Sequence, residues 1–224
     1  MRKEHVMKKF VLILLSLCLL SSISAAEIEL SGLSLDELHT LRQEINEEIA
    51  RRTEPETTDG EPLSDLFPDP VFARYIRDEL GMFSIKGIVS QDQLDTITDV
   101  HFLSMDDGLT SLEGIQYLSG LEDLSCYYQK GLTELPASVG TLQQLERISL
   151  TKCGITELPD SICNCINLVT LQVNDTAIFA LPNDIGNLSN LTELNISDTK
   201  ITEFPESLYA LNLQHFYRDG LDID

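Results

Sequence analysis

The chain has 224 residues, of which 42% are hydrophobic, and a formal net charge of −22. This length allows one or two domains, and the apolar content is enough for a sizeable core, which excludes a wholly disordered chain. Acidic residues outnumber basic ones by 37 to 15, aromatic residues make up 6% and there is no Trp. We therefore expect no nucleic-acid partner, because most of the surface repels a polyanion and offers few rings on which bases stack.

The first 26 residues have the three-part pattern of a secretory signal peptide. A basic start that includes Lys8 and Lys9 precedes an apolar run over residues 10–20, and small residues follow up to Ala26. The apolar run is too short to span a bilayer, so no stable membrane insertion is expected. The pattern predicts cleavage before Glu27 and a secreted, periplasmic or cell-surface location.

Residues 27–52 are predicted to contain a separate amphipathic helix. Ser34 and Glu37 form a capping box at the start of residues 34–52, and the apolar residues that follow recur at spacings of three or four. A helix this short is marginal alone in water, so its apolar stripe needs cover. We expect self-association or docking on an external partner, with packing on the same chain and an unstructured tether as the alternatives. The stripe consists of Leu38, Leu41, Ile45 and Ile49.

Four of the eight prolines fall between Thr53 and Pro70, together with six acidic residues and no basic residue. Such a segment repels itself, is stiffened by proline and cannot bury a core. Residues 53–66 are therefore predicted to be a linker.

A helical cap is predicted over residues 67–96. Asp69 and Pro70 suit the N-cap and the first position of a helix. Ser90 and Gln93 have the spacing of a capping box at the start of a second, short helix.

The remaining four prolines mark an internal repeat, and alignment on them brings apolar residues into columns. Steps such as Ile148-Ser149-Leu150 alternate with a period of two, which predicts short strands with one buried face. A single unit cannot bury its apolar row, so successive units are expected to stack with their strands parallel. The prolines that recur every 23 residues are Pro136, Pro159, Pro182 and Pro205.

The unit L-x-x-L-x-L-x-x-[CT]-x-I-x-x-L-P-x-x-I-x-x-L-x-N resembles the leucine-rich repeat in its 23-residue form, over residues 97–217. The segment before it is similar to the helical cap of secreted bacterial proteins of the internalin type. The resemblance implies an α/β fold, a leucine-rich repeat solenoid with short parallel strands on the concave face and a helical N-terminal cap. It also implies a protein that works by binding rather than by turnover. Residues 218–224 are predicted to be an acidic tail.

The cysteines within the repeats are predicted to differ in exposure. Cys163 aligns with Gly140 and Gly186 of the neighbouring repeats and is expected to be exposed. The spacing fits no zinc site, and an intra-chain disulfide remains open. The cysteines in apolar or turn columns, which are expected to be buried, are Cys126, Cys153 and Cys165.

No catalytic motif occurs in the sequence. The signatures of nucleophile elbows, zinc proteases, phosphate-binding loops and dinucleotide-binding loops are all missing. His39, His101 and His215 lie in three separate segments. We therefore predict no enzyme activity, no cofactor and no metal site.

Residues that alternate with the buried ones in each strand are predicted to face solvent on the concave side. They are polar and varied, whereas the buried columns are monotonous, and Tyr and Arg are common interface anchors. We expect them to bind a protein partner, with a carbohydrate or another cell-envelope component as the alternative ligand. The set is Asp99, His101, Asp123, Ser125, Tyr127, Arg147, Ser149, Thr151, Gln172, Asn174, Glu193, Asn195, His215 and Tyr217, with Thr170 and Ser197 in equivalent positions.

Exported protein is expected to begin within a residue or two of Glu27, because residues 1–26 carry basic, apolar and small-residue segments in the order of a cleavable signal. N-terminal sequencing of material recovered outside the cytoplasm measures this. Recovery of the uncut chain in the cytoplasm alone would contradict the prediction.

Overall fold

The structure, a computed structural model, describes residues 60–103 and 108–222. Its N-terminal part is a small helical cap in which β1 and β2 pair antiparallel, Glu61 opposite Val89 and Pro62 opposite Ile88. The elements of the cap are, in chain order, β1 (Glu61–Pro62), α1 (Leu63–Leu66), α2 (Pro70–Glu79), β2 (Ile88–Val89) and α3 (Gln91–Leu94).

The two predicted helix starts are confirmed. The Asp69 carboxylate accepts hydrogen bonds from the N–H groups of Val71 and Phe72, at 2.8 and 3.1 Å, and Pro70 occupies the first position of α2. At α3, Ser90 and Gln93 form the reciprocal capping box. Both ends thus satisfy backbone donors that lack an intrahelical partner.

The predicted linker is too long at its C-terminal end. Within the predicted linker 53–66, Glu61–Leu66 form β1 and α1, and the Leu63 side chain is completely buried. The N–H of Leu63 donates to the Gly87 carbonyl at 3.1 Å, and that of Ser64 to the Ile85 carbonyl at 2.8 Å. These residues join the cap because Leu63 and Leu66 supply apolar side chains that pack there. The linker prediction rests on the acidic residues and prolines of the segment and does not take these two leucines into account.

The repeats form a parallel sheet in which neighbouring strands follow one another in chain order. Paired residues recur once per coil, so that Asp99 pairs with Asp123, and Asp123 with Arg147. The sheet confirms the predicted leucine-rich repeat solenoid. The strands are β3 (Asp99–Phe102), β4 (Asp123–Cys126), β5 (Arg147–Ser149), β6 (Thr170–Gln172), β7 (Glu193–Asn195) and β8 (His215–Tyr217).

The return path of each coil is a short 3₁₀ helix. A proline stands immediately before three of these helices, with an extended ψ that ends the preceding segment. They form the side of the solenoid opposite the sheet. Their bounds are Ile115–Tyr117, Ala137–Thr141, Asp160–Asn164, Ile185–Asn187 and Glu206–Ala210.

The core is a continuous row of apolar columns between the sheet and the 3₁₀ helices. One column illustrates it: Leu124, Ile148, Leu171 and Leu194 are all completely buried. Each such side chain contributes about 1.5–3 kcal/mol on burial before conformational entropy is subtracted. Because the contacts lie between coils, removing one coil would expose the columns of its neighbours.

The cap covers the open end of the first coil. The rings of Phe72 and Tyr75 on α2 lie 6.3 and 4.8 Å from the ring of Phe102 at the end of β3. Asp69 adds a polar link, since its second oxygen accepts the N–H and hydroxyl of Thr110 at 2.9 and 2.7 Å and the N–H of Ser111 at 3.0 Å. One carboxylate therefore both caps α2 and holds the loop after β3.

The opposite end of the solenoid is covered by less material. The rings of Phe204 and Phe216 are 5.7 Å apart, and the Arg218 guanidinium lies 6.0 and 5.7 Å from their centroids. Leu221 packs partly buried against the core. An aromatic pair under a cation thus takes the place of the helical cap.

The predicted acidic tail, residues 218–224, is in its described part a continuation of the last coil. The N–H of Asp219 donates to the Ser197 hydroxyl at 3.2 Å, and its carbonyl accepts the N–H of Asp198 at 2.8 Å. The backbone donors of the last turn need partners as those of earlier turns do, and the chain after β8 supplies them.

The predicted exposure of Cys163 is wrong. Cys163 is 3% exposed, and Cys126, Cys153 and Cys165 are buried as predicted; all four are free thiols. A Cβ atom at Gly140 would lie 2.3 Å from the Ser161 carbonyl oxygen. That column is therefore a place where successive coils approach closely, and not a surface position.

Asp69→Ala is expected to lower the free energy of unfolding by about 2–4 kcal/mol, because α2 loses its N-cap and the Thr110 and Ser111 N–H groups lose their acceptor. Urea unfolding at neutral pH measures this. An exposed-surface control, Glu157→Gln, should leave the free energy of unfolding unchanged within about 0.5 kcal/mol. An equally small effect of Asp69→Ala would contradict the assigned link.

The contribution of Asp69 should also depend on pH. Burial by itself raises the pKa of Asp69, but hydrogen bonds from Thr110, Phe72 and Val71 outweigh it and hold the pKa below its ordinary value of 3.8. The ionised group therefore stabilises the fold fully above its ordinary pKa, and this stabilisation is lost as the pH falls below 3.8 and through the lowered pKa of the folded protein. The stability difference between the wild type and Asp69→Asn should accordingly shrink on acidification; a difference independent of pH would contradict this.

The thiols are expected to be unreactive in the native protein. Burial raises the pKa of all four, that of Cys163 and of Cys165 to about 11, so little thiolate exists near pH 8. The chain from Glu27 onward should react with Ellman's reagent only on unfolding. The variant Asn164→Cys, at an exposed position between two of the thiols, should show one fast thiol. Fast reaction of the unsubstituted chain would contradict the burial of Cys163.

Candidate binding surface

The solvent-facing side of the six-stranded sheet, here called the concave face, carries the residues that alternate with the buried ones. None of the fourteen residues predicted to bind a partner is buried. Thr170, expected in the same row, is an exception at 4% exposed. Its short side chain stands between those of Arg147 and Glu193, its partners in the strand register.

Charged residues meet at the N-terminal end of the concave face. The His101 Nε2 atom lies 3.3 Å from Asp123 Oδ1 and 4.0 Å from Asp99 Oδ1. The Arg147 Nε atom lies 3.0 Å from the other oxygen of Asp123. These groups are partly solvated, so they add little to stability and act mainly to orient one another.

The middle of the concave face is a network of hydrogen bonds between neighbouring strands. The Thr151 hydroxyl donates to Asn174 Oδ1 at 3.0 Å, and Gln172 Nε2 donates to Glu193 Oε1 at 2.7 Å. The Ser149 hydroxyl donates to Gln172 Oε1 at 3.4 Å. These bonds hold side chains from different coils in fixed positions, which lowers the entropy that a ligand would have to remove.

Two tyrosines and two lysines form an aromatic–lysine cluster, Tyr127, Tyr128, Lys130 and Lys152, just after β4 and β5. The tyrosine rings are 5.6 Å apart, and Lys130 Nζ lies 5.4 Å from the Tyr128 centroid. Lys152 Nζ lies 5.7 and 5.9 Å from the two ring centroids. A hydrogen bond to the Tyr127 hydroxyl raises the pKa of Lys152. The cluster is a cationic, aromatic patch on an acidic protein.

The backbone of this cluster includes unusual conformations. In the part of the chain that the structure describes, the coils of β4 to β8 each have one residue with a left-handed backbone at the same place in the turn, with φ values from 55° to 73°. Asp and Gly adopt this conformation readily, whereas Tyr and Lys do so at a cost of about 1–2 kcal/mol. The residues are Tyr128, Lys152, Asp175, Asp198 and Gly220. The coils of β4 and β5 thus place Tyr and Lys at a position where the coils of β6, β7 and β8 have Asp or Gly, which suit the turn.

The C-terminal end of the concave face carries a second ring pair. His215 and Tyr217 stack with their centroids 6.2 Å apart and their planes 9° apart. On β5, β6 and β7 the residues facing this side include no aromatic ring. The two aromatic pairs are therefore separated by three polar strands.

Two features of the surface were missed from the sequence. Lys130 and Lys152 were not assigned to the binding set, and the meeting of Asp99, His101 and Asp123 was not recognised. The signal was present in both cases, because Asp99 and Asp123 share one repeat column and Tyr128 and Lys152 share another. Residues of one column become neighbours when coils stack.

Comparisons with known proteins agree with this architecture. A family model described as a leucine-rich repeat region matches residues 97–212, and one described as a bacterial adhesion/invasion protein N terminal matches residues 50–95. The first match covers more than half of the chain. The second includes the cap and extends N-terminally beyond the described residues.

Solved structures share the fold. A leucine-rich repeat protein of Leptospira interrogans is 30% identical with a TM-score of 0.51, over 55% of this chain and 31% of that one. The functional domain of InlJ from Listeria monocytogenes, which includes a cysteine ladder, is 23% identical with a TM-score of 0.61, over 71% of this chain and 33% of that one. The chain spans about a third of the length of these proteins. Sequence match, repeat register and cap together show that the chain belongs to the leucine-rich repeat family and is internalin-like.

Proposed function

We propose that this protein recognises a protein partner through its concave face and performs no catalysis. Internalin-like leucine-rich repeat proteins are typically interaction and adhesion modules. The observation that carries the proposal is the aromatic–lysine cluster just after β4 and β5, next to middle strands whose exposed side chains are linked by hydrogen bonds. Rigid aromatic side chains and Arg are the residue types that dominate binding energy in protein interfaces.

The backbone supports a selected role for this cluster. Tyr128 and Lys152 occupy left-handed positions that Asp175 and Asp198 occupy in later coils. Among the described residues, the coils of β4 and β5 carry this conformational cost, which favours a function for the Tyr128 and Lys152 side chains, since Asp occupies the same position in later coils at a lower cost.

Charge indicates what part of a partner meets the cluster. Lys130, Arg147 and Lys152 are three of the five basic residues among positions 108–222 of a chain whose net charge is −22. An acidic group on the partner is favoured here and disfavoured over most of the remaining surface. The same charge imbalance supports the expectation that nucleic acid is not a partner.

The carbohydrate alternative is less well supported. Sugar binding favours aromatic rings along the strands, whereas the rings of Tyr127 and Tyr217 lie at opposite ends of the concave face with polar strands between them. A protein surface can span that distance and contact both ends.

An exported location completes the proposal. The signal-like segment, residues 1–26, lies outside the described residues, and the family model that matches the N-terminal region is named for bacterial adhesion and invasion proteins. Within residues 60–103 and 108–222, no helix has the length and apolar character needed to cross a bilayer. The amphipathic segment 34–52 also lies outside the described residues, and its self-association remains a proposal.

Tyr127→Ala and Arg147→Ala are each expected to weaken partner binding by about 1–3 kcal/mol, because each removes an exposed anchor of the concave face. The chain from Glu27 onward serves as bait to isolate a partner, whose affinity for each variant is then measured by calorimetry. Tyr209→Ala is the matched control, since Tyr209 is 77% exposed on the opposite side of the solenoid.

The control should bind as the wild type does, and thermal unfolding should show that all variants stay folded. Unchanged affinity of the double variant Tyr127→Ala/Arg147→Ala would place the binding site elsewhere on the protein.

A further inference from the structure

Three metal-ligating side chains converge on two neighbouring strands of the concave face. Asp99 and His101 stand two residues apart on β3 and so point to the same side of the sheet, and Asp123 pairs with Asp99 across the strand register. One ligand atom from each residue lies within 4.8 Å of the other two. Among the described residues no other such group of three occurs.

The carboxylates are oriented so that one oxygen of each faces His101. The Thr98 hydroxyl donates to Asp99 Oδ2 at 2.7 Å, which leaves Asp99 Oδ1 towards the imidazole. Arg147 Nε lies 3.0 Å from Asp123 Oδ2, which leaves Asp123 Oδ1 towards the imidazole as well. Partners that fix the second atom of a ligating group are a regular feature of metal sites.

The strand that supplies two of the three ligands is itself held in place. The Tyr75 hydroxyl, from α2 of the cap, accepts the backbone N–H of His101 at 2.9 Å and lies 3.4 Å from the carbonyl oxygen of Asp99.

Asp123 Oδ1 also accepts a hydrogen bond from the Ser125 hydroxyl, at 2.6 Å. A carboxylate oxygen has lone pairs for both this bond and an ion.

Distances match a small divalent ion. Two donors about 2.1 Å from a tetrahedral zinc ion lie about 3.4 Å apart. His101 Nε2 and Asp123 Oδ1 are 3.3 Å apart, and the exposed Asp99 carboxylate is 4.0 Å from the imidazole. Asp99 Oδ1 would need to move about 0.6 Å towards the imidazole to reach the same spacing of about 3.4 Å, and all three ligand atoms already lie within 4.8 Å of one another. With His101 neutral, the two carboxylates and Arg147 give a local charge of −1 that attracts a cation.

We propose that Asp99, His101 and Asp123 bind a divalent transition-metal ion of the zinc class on the concave face. One imidazole nitrogen and two carboxylate oxygens suit this class better than calcium, which prefers a shell of oxygens alone. Three protein ligands leave at least one coordination position open to solvent. The proposal does not depend on the identity of any protein partner.

The test is a calorimetric titration of the tag-free chain from Glu27 onward with zinc chloride. We expect one ion per chain, and we expect His101→Gln and Asp123→Asn each to weaken its affinity by at least about tenfold. Cobalt(II), as a spectroscopic stand-in for zinc, should give a visible absorption band that is lost in the same variants.

His215→Gln is the matched control. His215 is exposed on the same sheet face, at the opposite edge strand, and pairs in register with Glu193 in the same row as Asp99 and Asp123. This variant should bind zinc as the wild type does. Thermal unfolding without metal should show that all variants keep their fold.

Two results would overturn the metal site. One is the absence of one-to-one zinc binding by the wild type. The other is equal binding by wild type and His101→Gln, which would assign the zinc to the general acidic surface or to a thiol. Either result leaves the protein-binding proposal intact, because that proposal is tested by Tyr127→Ala and Arg147→Ala against a protein ligand.

Discussion

Apolar side chains buried between successive coils hold this molecule together, and every other feature depends on them. A coil of about 23 residues has an apolar row but no second layer to cover it, so only the coils before and after can bury columns such as Leu124, Ile148, Leu171 and Leu194. The close approach extends to the 3₁₀ side, where a Cβ at Gly140 or Gly186 would meet the backbone of the next coil. Cys163 is buried for the same reason.

A stack of this kind has two open ends, and the protein closes them differently. The N-terminal end is covered by a cap with its own strand pair and helices, tied to the first coil by Asp69 and by the ring contacts of Phe102. The C-terminal end has only the Phe204–Phe216 pair beneath Arg218. The end with more buried contact is therefore the N-terminal one, and local opening is expected to begin at β8.

Stacking of the coils also determines which residues are neighbours on the concave face. Because equivalent positions of successive coils come to lie side by side, residues about 24 apart in sequence act as neighbours: Asp99 with Asp123, and Tyr128 with Lys152. Hydrogen bonds along the middle strands then hold these side chains in place. The concave face combines a fixed backbone with side chains that the core does not constrain, and this freedom allows both an aromatic–lysine cluster and a cluster of metal-ligating residues to form.

The repeat family, the strand and core columns and the starts of α2 and α3 follow from the sequence alone, because each depends on local spacing: a 23-residue period, a two-residue alternation, or a cap residue beside a proline. Tertiary structure decided what depends on distance between coils. It buried Cys163 and Thr170, moved Glu61–Leu66 from linker to cap, and continued the last coil past β8. Alignment of the sequence places residues in repeat columns, but it does not show which columns are covered or which side chains meet. Those depend on the packing of coils, because the burial of a residue is determined by the neighbouring coil and not by the coil that contains it.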